Sequence, residues 1–280
     1  MTSETARTQS AAPSLAIARA FVAARRDARA LPGFPGEIPR TLEAGYAAQE
    51  AAIRLWGGEI VGWKVGKIPD ELVARLGKTR VTGPIFREGL WPAEPSGRNP
   101  VPVLVGGFAA LEAEFVFELT RDAPADKLDW TLAEAEALQG RMRTGVEMAG
   151  SPLAAINELG PPVVASDFGN NNGLILGEVL ADWGEAAAES YVCESFIDGE
   201  RVGQGSAASI PGGPMESVRF LLEHCARRGR PLRAGQLVST GAATGIHDIA
   251  AGQIGRVSFG RHGAIGCVTF AATPQAQAAS

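Results

Sequence analysis

The stretch ALEAEFVFEL (110–119) carries a period of two that suits an extended strand, with Glu112, Glu114 and Glu118 on one face and Leu111, Phe115, Phe117 and Leu119 on the other. Successive strand side chains point to opposite faces, so the Cα atoms of Glu112 and Glu114 lie roughly 7 Å apart and their carboxylates can converge on one point. On spacing alone such a row can equally be a solvated face. Two features weigh against that: glutamate is depleted in strands, and like charges on one strand face repel. A second strand-like segment, RTGVEMAG (143–150), holds Glu147 in apolar company. Three such carboxylates around a hard divalent cation would leave positions open for water and substrate, as Mg²⁺ prefers.

Lysine is scarce in the chain: of 26 basic residues only Lys64, Lys67, Lys78 and Lys127 are lysines. Lys64 interrupts the apolar run IVGWKVG, where Gly62 and Gly66 let a ligand or another backbone come close. A sheltered lysine there can clamp an oxyanion or donate a proton, and it can equally snorkel to a surface carboxylate. Lys67 reads as an ordinary surface residue. Two loops suit small-molecule contact. VVASDFGNNNGLILG places Asp167 and three consecutive asparagines between apolar flanks, and LVSTGAATGIHD offers Ser239, Thr240 and Gly241 at a strand end, where hydroxyls and backbone N–H groups could hold a carboxylate. Neither matches a phosphate-binding or dinucleotide-binding fingerprint. His224, His247 and His262 lack zinc-type spacing, and only His247, beside Asp248 after a glycine-rich loop, is a candidate to line a site.

Around these motifs the sequence is β-rich, with strands expected near 103–106, 111–119, 144–149, 173–178, 191–197, 235–239, 254–259 and 264–270. A hairpin turn is expected at Asp198-Gly199. A capping box at Thr131 and Glu134 predicts a helix over 131–142, and Pro214 opens another that ends near Gly229. Helices are also expected from Ser14, with Arg25 and Arg26 on the wet side, from Thr41 to Trp56, and over 70–77; TGPIF reads as irregular. The expected organisation is a disordered 1–13, an N-terminal helical part over 14–100 packed on the core, a mixed-β core over 101–272 and a frayed tail over 273–280. The Pro-rich WPAEPSGRNPVP marks the seam.

A net charge of −5 without a basic, aromatic-bearing stripe excludes the footprint of a nucleic-acid binder. No apolar run is long enough to span a membrane, and MTSETARTQSAAPS has no secretory apolar core. Cys193, Cys225 and Cys267 are widely spaced and read as buried thiols, which gives a cytoplasmic expectation.

In order and spacing, GWKVG, LEAEFVFEL, VEMAGSPL, VASDFGNNNGLILG, LVSTGAATG and AGQIGRVSFGRHGAIGCVTF resemble the 2-keto-4-pentenoate hydratase group of the fumarylacetoacetate hydrolase superfamily, over about residues 40–271. The resemblance implies an α+β fold, a mixed-β roll with peripheral helices. It also implies Mg²⁺ or Mn²⁺ on Glu112, Glu114 and Glu147, with Lys64 as the catalytic and substrate-contacting lysine beside Gly66. Thr240 and Gly241, with Ser239, would form part of a carboxylate cradle, and Asp167 would position water or carry a proton. The implied activity is a metal-dependent hydro-lyase that adds water to a 2-hydroxydienoate or 2-oxo-4-enoate such as 2-hydroxypenta-2,4-dienoate in aromatic catabolism, in a homo-oligomer. The chain departs from the group at Val81-Thr82-Gly83, Gly150-Ser151-Pro152 and Asp167-Phe168-Gly169-Asn170. A 4-oxalocrotonate-type 2-oxo acid decarboxylase, a C–C hydrolase and a non-catalytic 2-oxo acid binder are the alternatives. The hydrolase fits least, because no histidine precedes residue 224.

Overall fold

The computed structural model describes the backbone of residues 3–275, with side chains from residue 12 onward; the end of the expected frayed tail, 276–280, and residues 1–2 lie outside the described residues. Helix α1 (Ser3–Arg26) buries Ile17, Ala18, Phe21 and Val22 at helical spacing. It begins well before Ser14, so residues 3–13, expected to be disordered, are helical, with Pro13 inside the helix. Helix α2 (Leu42–Trp56) starts at Thr41, whose hydroxyl accepts from the Ala44 N–H, and ends on a left-handed Gly57.

Next come β1 (Ile60–Lys67), the short helix α3 (Asp70–Leu76), β2 (Arg80–Phe86) and β3 (Leu90–Pro92). TGPIF, expected as irregular, is instead the last five residues of β2, which is buried along its whole length. Pro84 fits there because β2 is an edge strand, where a residue without an N–H breaks no ladder on the outer side. The remaining elements are β4 (Asn99–Val103), β5 (Phe108–Leu119), α4 (Leu132–Glu136), β6 (Gly140–Ser151), α5 (Pro161–Ser166), β7 (Asn171–Val179), β8 (Val192–Ile197), β9 (Glu200–Ser206), α6 (Pro214–Arg227), β10 (Leu237–Ser239), β11 (His247–Asp248), β12 (Ile254–Ser258) and β13 (Ala264–Ala271). The Thr131–Glu134 capping box forms, but its helix stops at Glu136 rather than 142. The residues from Gly140 are taken into β6, which pairs with β5 from Phe108↔Ser151 to Leu119↔Gly140.

The strands make two mixed sheets: one in the order β2-β1-β10-β5-β6-β7-β3 with β11 beside β5, the other in the order β4-β13-β12-β8-β9. This is the expected α+β fold, curled mixed sheets with few helices. Residues before 101 thus supply three strands of the larger sheet as well as covering helices, and the Pro-rich segment carries the chain from β3 in one sheet to β4 in the other.

The site depends on the length of β10. That strand lies between β1 and β5, pairing Lys64↔Ser239 on one side and Ser239↔Val116 on the other, and it stops at Ser239. Beyond that point the chain no longer pairs with β1 but stays on β5, where Thr240 and Ala243 bond to Phe115 and Ala113 and β11 pairs with Leu111 and Ala110. Cys193, Cys225 and Cys267 are free and buried, as expected. Among the described residues no helix is long and apolar enough to cross a membrane.

Candidate active site

Glu112, Glu114 and Glu147 are 4%, 1% and 0% exposed, which rules out the solvated face. Both faces of β5 are covered, so the period of two separates a core face from a site face. Only Glu118, at the far end of the strand, behaves as a partly exposed residue, paired with Arg143 at 3.0 Å. Glu112 and Glu147 stand directly opposite in the β5–β6 ladder, and Glu114 faces Gly145. One carboxylate oxygen from each of the three lies within 4.8 Å of the others.

Lys64 reaches this cluster from β1. Its Nζ donates to Asn170 Oδ1 at 2.9 Å and lies 3.4 Å from Glu147 Oε1. Burial opposes the ammonium, but the charges of Glu147, Glu112 and Glu114 outweigh it and hold the amine above its ordinary value. For the acids burial is the leading cause of a rise: Glu112 is pushed up to about 7 against the pull of Lys64, and Glu114 goes well above the carboxylate range with the repulsion of Glu147 and Glu112 added. Glu147 is also raised by burial, with Lys64 and the Asn171 amide, which donates to its Oε1 at 3.0 Å, working the other way.

This charge balance carries the test for a metal. Three ionised carboxylates against one ammonium leave two buried negative charges uncompensated, and Glu112 Oε1 and Glu147 Oε2 are buried without a hydrogen-bond partner among the described residues. A hard divalent cation supplies the missing charge and the missing partner together, so the donor set fits one.

The cluster opens into a cavity of about 480 Å³. Lys64, Gly66, Glu112 and Asn170 line it together with Leu72, Val81, Pro161, Val164 and Ile246, and Lys67, Glu71, Asn157 and Glu158 also border it. Of the residues expected to contact a substrate, Lys64 and Gly66 line the cavity. Thr240 and Gly241 are not an open cradle: the Thr240 N–H and hydroxyl both donate to the Phe115 carbonyl, and the Gly241 N–H donates to Glu114 Oε2 at 2.6 Å. Where β10 ends, its next donors close onto β5 and so position Glu114. Ser239 is buried beside Lys64 in the sheet, and its hydroxyl has no partner among the described residues. His247 bonds Thr244 Oγ1 at 3.1 Å and does not line the cavity. Lys67 is half-exposed and pairs with Asp70, as an ordinary surface lysine does.

Asp167 also differs from expectation. Its carboxylate does not line the cavity, and both oxygens are occupied: Arg25 Nε donates to Oδ1 at 2.6 Å, while Arg25 Nη2 and the Ser151 hydroxyl donate to Oδ2 at 2.9 and 2.6 Å. A fully buried carboxylate needs such partners, and here three donors take most of its acceptor positions. Arg25, expected on the wet side of α1, has a side chain only 7% exposed.

The segment after Asp167 was not legible in detail. Phe168, Gly169 and Asn170 all have positive φ (53°, 63° and 55°), a single left-handed turn that costs roughly 1–2 kcal/mol per non-glycine residue. It delivers Asn170 to Lys64 and Asn171 to Glu147. The run of small and amide residues, DFGNNNG, is the only sequence signal for it.

The curled mixed sheet that carries three buried glutamates beside a buried lysine has the fold of solved structures such as a 4-oxalocrotonate decarboxylase and a fumarylpyruvate hydrolase. In sequence the chain is similar to curated hydratases, which are enzymes of the hydro-lyase kind. It is 29% identical over 238 residues to a TodF product hydratase of Pseudomonas putida, covering 82% of this chain and 84% of that one. It is 28% identical to a 2-keto-4-pentenoate hydratase of Burkholderia vietnamiensis, over 70% of this chain and 74% of the relative. Among solved structures it superposes on the 4-oxalocrotonate decarboxylase of Pseudomonas putida G7, complexed with magnesium and adipate, with a TM-score of 0.76 and 22% identity, over 94% of this chain and 98% of that one. No family model matches the chain.

Proposed function

We propose that the protein is a metal-dependent hydratase that adds water to a 2-hydroxydienoate such as 2-hydroxypenta-2,4-dienoate, formed in the breakdown of aromatic compounds. The observation that carries this reading is the buried cluster of Glu112, Glu114 and Glu147 with Lys64, opening into a cavity lined in part by apolar side chains. Glu112, Glu114 and Glu147 would hold Mg²⁺ or Mn²⁺, which when bound stabilises negative charge building on an oxygen of a 2-oxo acid. Lys64 donates a hydrogen bond to the C2 oxygen as the enol proton leaves it and C5 gains a proton, giving an α,β-unsaturated 2-oxo acid. Water then adds across that double bond, hydroxyl to C4 and proton to C3. Leu72, Val81, Pro161 and Val164 keep bulk water from the hydrocarbon end.

The lining also bears on the decarboxylase alternative. No arginine lines the cavity to receive the second carboxylate of a dicarboxylic substrate, Lys67 pairs with Asp70, and Glu71 and Glu158 add negative charge to the lining. That favours hydration. The three buried free thiols accord with a cytoplasmic location, and exposed Ile254 and Phe270 on the smaller sheet accord with a homo-oligomer.

The test is to give purified protein Mg²⁺ or Mn²⁺ and enzymatically generated 2-hydroxypenta-2,4-dienoate. Metal-dependent loss of the dienol absorbance supports the hydratase. Carbon dioxide release from 4-oxalocrotonate would move the assignment to the decarboxylase, and tight oxalate binding with neither reaction would leave a binding protein.

A further inference from the structure

We propose that Arg25, on the N-terminal helix, is a positioning residue for the active site, acting through Asp167 and the left-handed turn on Lys64 and Glu147. The proposal rests on the reading that these two residues work in the site.

The connection is continuous. Arg25 grips Asp167 with two nitrogens, gives Nη2 also to the Gly150 carbonyl at 2.8 Å on β6, and lies over the Phe168 ring at 5.4 Å. One guanidinium thus ties together the strand that carries Glu147, the residue that opens the turn and the first residue within it. The turn holds itself to Asp167 through the Asn170 N–H, which donates to the Asp167 carbonyl at 2.8 Å. Opposite Arg25, the turn is pressed against β2: a Cβ at Gly83 would sit 1.7 Å from the Phe168 carbonyl oxygen, and one at Gly169 would sit 2.7 Å from the Gly83 nitrogen. Asn170 and Asn171 leave this turn toward Lys64 Nζ and Glu147 Oε1, the two groups that most need an exact place. Positive φ at a residue as bulky as Phe168 persists only where surrounding contacts over-determine it. Arg25 supplies the contacts on the α1 side. Lysine cannot replace it, because a single ammonium cannot span both carboxylate oxygens and the Gly150 carbonyl.

The experiment compares wild type, Arg25→Ala, Arg25→Lys, Asn170→Ala and the Arg25→Ala/Asn170→Ala double variant. Its readouts are Mn²⁺ affinity by electron paramagnetic resonance, hydrogen exchange at residues 168–172, and kcat and KM for the dienoate. Arg25→Ala is expected to bind Mn²⁺ about 10–100-fold more weakly, with faster exchange confined to the turn. It should also lower kcat at least about tenfold with KM changed less than about threefold. Millimolar guanidinium should restore part of the loss in Arg25→Ala and none in Arg25→Lys. The double variant should lose no more than the worse single variant, since both act on one unit. Additive losses, or Mn²⁺ affinity and turn exchange equal to wild type in Arg25→Ala, would overturn the proposal. Should Arg25→Ala fail to fold, the Arg25→Lys measurements decide it by the same readouts. Wild type that binds no Mn²⁺ would overturn the reading of the site and this proposal with it, whereas wild-type binding with unaffected Arg25 variants overturns this proposal alone.

Discussion

Glu112 and Glu147 face each other across the β5–β6 ladder, both buried, and each keeps one carboxylate oxygen without a hydrogen-bond partner among the described residues. In an ordinary sheet such a pair is a fault, because like charges directly opposite destabilise it. Here the fault is the site.

The Glu112→Gln variant should therefore separate stability from function. The Glu112 carboxyl sits at about 7 in the folded protein against an ordinary 4.5. Its contribution to stability is present below the ordinary value and lost as pH rises through 7, so metal-free wild type at pH 8 bears the whole cost. Metal-free Glu112→Gln is expected to be more stable than wild type at pH 8 by about 1–3 kcal/mol. It should also lose the rise in melting temperature that Mg²⁺ or Mn²⁺ gives wild type. Thermal melts with and without metal check both halves.

Asn171 holds Glu147 in place through one amide hydrogen bond of 3.0 Å. Replacing it with leucine removes the donor and leaves the carboxylate free to rotate, and outer partners of this kind are worth about 10–100-fold in metal affinity. Calorimetric titration of Asn171→Leu with Mn²⁺ should show a drop of that size, with the melting temperature of the metal-free protein changed by only a few degrees.

Gly83 is needed for the space it leaves empty. A Cβ there would overlap the Phe168 carbonyl, which is backbone and cannot swing aside. Gly83→Ala should cost at least about 3 kcal/mol in urea unfolding, at the severe end for a single substitution. A loss below 1 kcal/mol would mean that the turn and β2 are not packed as described.

His224 provides a pH test away from the metal ligands. It sits half-buried on α6 against the rings of Tyr46 and Phe220, with Arg228 3.2 Å from its Nε2, and desolvation followed by the Arg228 and Lys78 charges lowers it from 6.5 to about 3. A base depressed in this way gives stability that is present above 6.5 and lost as pH falls toward 3, because the unfolded chain takes up the proton first. Between pH 7 and pH 4 the loss assigned to His224 should be about 2–3 kcal/mol. Chemical denaturation across that range should show a shallower decline for His224→Gln.

Which parts of the site were legible follows from the range over which each is encoded. The period of two on 110–119 is local, so Glu112 and Glu114 could be read as sharing a face, and Glu147 and Lys64 each stood out against an apolar strand. What joins these strands is not local. Arg25 looked solvent-facing because helical periodicity says nothing about a buried carboxylate 142 residues away. Thr240 and Gly241 looked like free donors because the sequence does not show that Phe115 and Glu114 lie within reach. TGPIF failed as a strand because its proline is tolerated only at an edge, and edges are a property of the assembled sheet.

The early stop of β10 has a geometric consequence. Past Ser239 the chain lets go of β1 but keeps its hold on β5, through Thr240, Ala243 and the short β11. The stretch that swings away from β1 supplies Ala242, Gly245 and Ile246 as a wall of the cavity beside Lys64. A β10 zipped to β1 for two residues more would draw that wall in against the sheet, so the hollow exists because one strand unfastens from a single neighbour.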